Sequence, residues 1–355
     1  MMKERNHAFD FLCGICIIRM ILYHITVFCN MSEDEGWTIV MHWTFFFMSF
    51  FFFKAGYFNK TVDGNSWEFT KKKFKQLMIP YFVWGLIGCI VYFTFAWFIL
   101  DSKNTMVKSV TVSHIWSTSG FYGNGPCWFL FSFFVAYIAM HLFSKCPSVA
   151  IPVTHNRSFR IKIHWVVFLF PFVSYLLYEQ GNPLWLNLNN VFWGIFLFFL
   201  GRVWRVAIER LRPRKMIVLS SLMIVTFIVL NIFDSSEYTM SSNEWEGNFP
   251  ILFAKLILSS CGLSGLFLSF RFPRVPIINY IGQHSMVFFV AHYPILTFYK
   301  MLRSACVHTL NGKVDDLIIM SILTFVVCAW LVPYVERIPW LSGRFQKKPS
   351  DSMAK

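Results

Sequence analysis

FDFLCGICIIRMILYHITVFC, Phe9 to Cys29, is a 21-residue run that rises about 31 Å as a helix, enough to cross a bilayer. It is not uniformly apolar: Asp10 lies at its start, Arg19 near its centre and His24 one turn short of its end. Ionisable side chains are costly in a membrane, so in such a run they face protein or a polar cavity and mark a functional pathway. Cys13 and His24, eleven residues apart, fall within about 20° of one another around a helix. Asp10 lies on the same face, but about 21 Å from His24 along the axis, so it does not orient the imidazole directly. Arg19 lies about 140° round from His24 and about 14 Å from Asp10, too far to pair with it on one helix. Each of these charges needs a partner from elsewhere, so the helix is a packed one and not a lone anchor.

The rest of the chain extends that reading. Its 355 residues are 56% hydrophobic and 14% charged, with 43 Phe and a mean hydropathy of +0.53, far from soluble usage. Apolar runs lie at roughly 9–29, 38–58, 78–100, 126–144, 163–179, 188–203, 214–233, 249–270, 283–303 and 315–335. These imply an all-α polytopic bundle of about ten transmembrane helices, a single domain over 1–340 with a short polar tail at 341–355. The first run is of full span length and has no small-residue cleavage site, so it reads as a span and not as a cleaved signal. With the N-terminus placed inside, 25 of the 32 Lys and Arg fall on or beside the cytoplasmic face, and eleven of the 18 Asp and Glu fall outside. This asymmetry puts both termini in the cytoplasm. The formal charge of +14 then reports topology and not a nucleic-acid partner.

Nine cysteines are scattered, mostly within the apolar runs, where a thiol behaves as a small apolar residue. Cys13-Gly14-Ile15-Cys16 matches a C-x-x-C spacing, but no second pair completes a metal site, so it reads as small-residue helix packing, with no metal bound. The second run ends in FFFFKAGYFNK, Phe50 to Lys60, where Lys54 is expected to extend its ammonium to the cytoplasmic interface. KKKFKQLMIPY, Lys71 to Tyr81, is expected as a basic loop entering the third span; Lys72, Lys73 and Lys75 suit a phosphate-rich ligand as well as a positive-inside flank. YGNGPCWFLFSFF, Tyr122 to Phe134, breaks the chain before Trp128 opens the fourth span. INYIGQHSMVFFVAHYPIL, Ile278 to Leu296, places Ser285 near the cytoplasmic edge and His292 near the middle of the ninth.

These pieces in this order resemble the acyltransferase 3 family of membrane acyltransferases, over nearly the whole chain. The matching residues are Phe9-Asp10 and His24; Phe51 to Phe53 with Gly56-Tyr57; Pro80-Tyr81; Gly125-Pro126 with Trp128 to Leu130; Gly201; and Gly282 with Ser285 and His292. The chain departs from the pattern where Cys13 and Gln76 stand in place of basic residues, with Arg19 and Lys75 as compensating candidates.

The resemblance implies transfer of an acyl group, acetyl above all, from acyl-CoA entering from the cytosol to a hydroxyl of a sugar or surface polysaccharide. Such transfer needs a base near neutrality, and His24 is that candidate, with His292 as a second catalytic candidate. Asp10, Arg19, Lys72, Lys73, Lys75, Trp128 and Ser285 are the candidate donor- and substrate-binding residues. No cofactor is implied beyond the acyl-CoA co-substrate; the partners are that donor, a glycan or lipid-linked sugar and the bilayer of the cell membrane. A transporter of a glycan or lipid-linked intermediate is the alternative from another class, for which inverted repeats and paired broken helices would speak; the sequence shows neither. A non-catalytic family member is the third reading.

Overall fold

In the computed structural model, residues 6–59, 65–99, 112–145, 148–154, 157–181, 184–269, 275–306 and 313–345 are described. The loop residues Lys103 and Lys108, the pair Arg271 and Arg274, and the tail beyond Phe345 lie outside them. Among the described residues, nine helices are long and apolar enough to cross a bilayer. Their outward faces are apolar too: Val218, Leu222, Val225 and Ile232 are exposed along one helix, a surface that suits lipid.

The first span is α1 (His7–Phe28), which starts where the Asn6 side chain accepts from the amides of Ala8 and Phe9 at 3.1 and 3.3 Å. The second apolar run is broken into α2 (Glu35–Trp43) and α3 (Phe47–Phe58). At the break, Thr44 Oγ1 bonds back to the Val40 carbonyl, a contact that competes with continuing the helix.

The third span corrects the sequence reading. α4 (Ser66–Lys73), a π-turn (Phe74–Met78) and α5 (Ile79–Ile99) form one rod, so the basic stretch is helical and not a loop. Asn65 caps it, accepting from the Trp67 amide at 2.9 Å, about four turns before Pro80. Pro80 lacks an N–H and would crowd the carbonyl four residues earlier, and the wider π-turn immediately before it relieves that conflict.

α6 (Val112–Thr118) and a 3₁₀ turn (Gly125–Cys127) lead into α7 (Trp128–Lys145). The fifth apolar run is shorter than expected. A 3₁₀ turn (Ile163–Leu169) precedes α8 (Phe170–Glu179), and the apolar helix Val166–Glu179 rises only about 21 to 24 Å, short of the hydrocarbon core. Then follow α9 (Asn189–Arg210), α10 (Pro213–Phe233), α11 (Phe249–Ser269), α12 (Pro276–Gln283), α13 (Ser285–Cys306), α14 (Lys313–Arg337) and α15 (Pro339–Ser342). The ninth run is thus also two helices, parted at His284. Strand among the described residues is limited to two antiparallel ribbons, β1 (Ser148–Thr154) with β2 (Arg157–Lys162) and β3 (Glu237–Thr239) with β4 (Glu244–Glu246).

Helices α3 and α9 approach closely because Gly56 lies under the Phe198 carbonyl and Gly201 under that of Phe53, where a Cβ would overlap the oxygen. Gly282 of α12 meets the Asp10 carbonyl of α1 in the same way. Three glycines of the sequence pattern therefore hold helix pairs together.

The charge asymmetry leads to a labelling test. Exposed Glu244 and Arg212 lie in loops assigned to opposite faces. In intact cells, a cysteine at Glu244 is expected to react with a membrane-impermeant maleimide above the level of the parent chain, and one at Arg212 is not. The opposite pattern would reverse the orientation.

Candidate active site

α1 and α13 bring the two expected histidines together: the ring centroids of His24 and His292 are 5.3 Å apart. Tyr293 stands edge-on to His24, also at 5.3 Å. His292 is fully buried. Its Nδ1 lies 2.7 Å from the Phe289 carbonyl and 3.2 Å from that of Phe288. A carbonyl only accepts, so Nδ1 carries the hydrogen and Nε2 the lone pair, an assignment from the hydrogen-bond geometry. Nε2 is buried without a hydrogen-bond partner among the described residues.

A proline fixes this corner. Pro294 has no N–H for the carbonyl of Val290, one turn back in α13. Asn124 Nδ2 donates to that oxygen at 3.0 Å and to the Trp84 carbonyl at 3.2 Å. The turn before α7 is thereby pinned to α13 and α5, and Trp128, which opens α7, is set facing the histidines' side of the bundle. Asn124 was not singled out in the sequence; the signal for it was a proline inside an apolar helix, which leaves a carbonyl in need of a donor.

His24 lies in the wall of a cavity of about 360 Å³, called the outer one after the face that the charge asymmetry assigns to it, that is also lined by Arg19, Tyr23, Trp128, Glu237 and Phe289. Arg19 Nε donates to Thr44 Oγ1 at 3.0 Å, and the guanidinium carbon sits 3.8 Å above the centre of the Phe47 ring. The break between α2 and α3 therefore supplies the partner that Arg19 needed. Glu237, from the β3–β4 ribbon, meets His42 Nδ1 at 2.7 Å. The Arg19 guanidinium, the Glu237 carboxylate and the His24 imidazole so face one cavity, suited to a ligand rich in hydroxyls. Neither Glu237 nor His42 was legible as a site residue, because they come from elements nearly 200 residues apart in the chain.

A second, inner cavity of about 290 Å³ is lined by Ile17, Lys54, Phe129, Tyr137 and Ser285, and again by Phe289. Phe289 thus borders both cavities, and its own carbonyl is the one that orients His292. Lys54 corrects the expectation that it reaches for the interface. Its Nζ turns to α1 and donates to Cys13 Sγ at 3.0 Å, so an ammonium is supplied across the helix pair at the face where α1 itself carries a thiol.

The remaining expected residues divide. Lys73 Nζ lies 3.6 Å over the ring of Tyr137, itself a wall of the inner cavity. Lys75 points away, 5.8 Å from the Phe345 ring centre, and Lys72 is exposed on α4. The three lysines do not share one pocket. Asp10 is buried where α1 meets α12 and lines neither of the two cavities described above.

An acyltransferase 3 family model, described as an acyltransferase domain, matches residues 6–333. No curated protein and no solved structure matches the chain.

Proposed function

Because the chain belongs to this acyltransferase family, we propose that it transfers an acetyl group from acetyl-CoA, held in the inner cavity, to a hydroxyl of a sugar or surface polysaccharide held in the outer one, within the cytoplasmic membrane. The observation that carries the reading is the His24–His292 pair beside Phe289, the residue that borders both cavities.

In this reaction the acceptor oxygen attacks the thioester carbonyl while His24 takes the hydroxyl proton; the carbon–sulfur bond breaks, and the proton passes to the departing thiolate. His292, with Nδ1 committed to backbone carbonyls, packs against His24 with ring centroids 5.3 Å apart and positions the His24 ring. Arg19 and Glu237 hold the acceptor's hydroxyls, Trp128 provides an apolar wall, and Ser285 lies at the donor's entrance. The inner cavity's mostly apolar lining suits the donor's pantetheine arm, with the phosphates toward the cytosol.

The lysine geometry separates three residues that are alike in sequence. Lys73→Gln is expected to raise the KM for acetyl-CoA about tenfold, the scale of one charge-assisted contact, with the acceptor KM unchanged. Lys72→Gln, a change at an exposed side chain that does not line the inner cavity, is expected to change neither. Equal effects of the two on donor KM would return all three lysines to a topological role.

Phe289→Trp is a direct test of the path between the cavities. The larger indole at the partition is expected to lower acetyl transfer at least tenfold while the protein remains inserted and monodisperse in detergent. Wild-type transfer by this variant would move the donor path elsewhere. The interrupted spans at Thr44–Phe46 and His284 are what favours the transporter reading; glycan uptake into proteoliposomes without any CoA release would establish it instead.

A further inference from the structure

A third cavity, of about 430 Å³, opens beside the same histidines and has no part in the reaction above. Among its walls are Tyr92, His114, Tyr122, Tyr293, Thr297 and Lys300. It touches the proposed site at two places: Tyr293 packs edge-on against His24, and Gly125 of its wall is followed directly by Pro126 of the outer cavity's wall. The two spaces therefore lie on either side of the His24 wall.

The cavity's chemistry differs from its neighbour's. The tight turn that sends Asn124 to α13 presents Tyr122 here, stacked with His114 at 4.4 Å and with Tyr92 at 5.6 Å between ring centres. Burial holds the His114 imidazole below its ordinary pKa, so near neutral pH it is an uncharged flat ring within that stack. Thr297 Oγ1 is buried and has no hydrogen-bond partner among the described residues. The Lys300 ammonium stands at the rim, over the Phe28 ring. Where the outer cavity holds the carboxylates of Glu33 and Glu237 as well as Arg19, no Asp or Glu is among this cavity's described lining residues.

We propose that this cavity is a second sugar subsite, taking an anionic residue of the acceptor glycan next to the one that is acylated. The C–H face of a sugar ring matches the negative face of aromatic rings, a buried hydroxyl donates to a ring oxygen or accepts from a sugar hydroxyl, and the Lys300 cation at the rim selects a carboxylated or phosphorylated unit. The proposal rests on the acyl-transfer reading for its location but not for its measurement.

The test is direct binding to the full chain in nanodiscs of phosphatidylcholine, with hyaluronan tetrasaccharide as the anionic probe and chitotetraose as the neutral one. The unmodified chain is expected to bind the anionic probe about tenfold more tightly, as one charge-assisted contact implies. Lys300→Gln, a change at an exposed side chain, is expected to remove that preference, and Tyr122→Leu to weaken both probes severalfold. Equal affinity for the two probes, or a preference that survives Lys300→Gln, overturns the subsite. Loss of the anionic probe's binding when phosphatidylglycerol is added to the nanodiscs also overturns it and assigns the cavity to a lipid headgroup. If the unmodified chain turns over no acyl-CoA, the function proposed above fails, and the probe affinities still decide the subsite.

Discussion

His24→Ala is expected to lower acetyl transfer by about 10² to 10⁴, the range for a positioned acid–base group, while the protein stays inserted and folded. The ring is only partly buried and borders a cavity, so truncation enlarges a space that already exists and does not open a void in a dry core. His24→Gln is expected to be nearly as inactive, since an amide keeps hydrogen bonding but does not take up a proton at neutral pH. The two variants together separate proton transfer from packing. The measurement is transfer of radiolabel from acetyl-CoA to extracted surface glycan, in membranes with matched amounts of each variant. His292→Gln is expected to fall less far and to change the pH profile of what remains, because it acts by holding the His24 ring. Wild-type rates in His24→Gln would defeat the base assignment.

What could be read from the chain was whatever depends on one helix at a time. Most span lengths, the positions of His24 and His292 within apolar runs, and the small residues at Gly56, Gly201 and Gly282 are local patterns, and each has its place in the fold. The rise along α1 sets Arg19 too far from Asp10 to pair with it, but does not reveal Thr44 as a partner, since that residue meets Arg19 only because the second span breaks there. The same limit applied to Lys54. Its nearness to the end of a span argued for the interface, and only the pairing of α1 with α3 reveals a thiol within reach. The basic stretch from Lys71 reads as a loop on charge alone; the cap that Asn65 supplies, followed by Glu68 in the first turn, is what makes it helical. Glu237 and His42 come together through a contact between distant segments that a single sequence does not reveal, and for Asn124 only the need for a donor, set by Pro294, was legible.

The largest stability effect is expected at the far end of the β3–β4 ribbon, where Lys255 is fully buried within α11. Its ammonium donates to the carbonyls of Asp234 and Ser236 and pairs with the Asp234 carboxylate at 3.0 Å. This one cation therefore ties α11 to the segment that carries Glu237 into the outer cavity. Lys255→Met leaves the carboxylate and two carbonyls without their donor, and is expected to cost about 3 kcal/mol, the lower end for breaking a buried pair because Asp234 keeps some contact with water. Asp234→Leu is expected to be comparably harmful, while the double variant should lose clearly less than the sum of the two, since no unpaired charge then remains. The pH dependence carries the same signature. Burial by itself would raise the Asp234 pKa, but the hydrogen bonds from Ser236 and Lys255, and the ammonium's charge, outweigh it and hold the carboxyl below its ordinary value. A depressed carboxyl contributes its stability above the unfolded pKa of about 4 and loses it as the pH falls through the folded value. Thermal unfolding in detergent from pH 7 down to pH 3 should thus show an acid-side loss in the unmodified chain that is smaller in Lys255→Met. Glu237 is positioned through the same tie, so Lys255→Met is also expected to raise the acceptor KM while leaving the donor KM unchanged. A variant that unfolds at the unmodified temperature, with both KM values intact, would show that the ribbon is held in place by its aromatic packing alone.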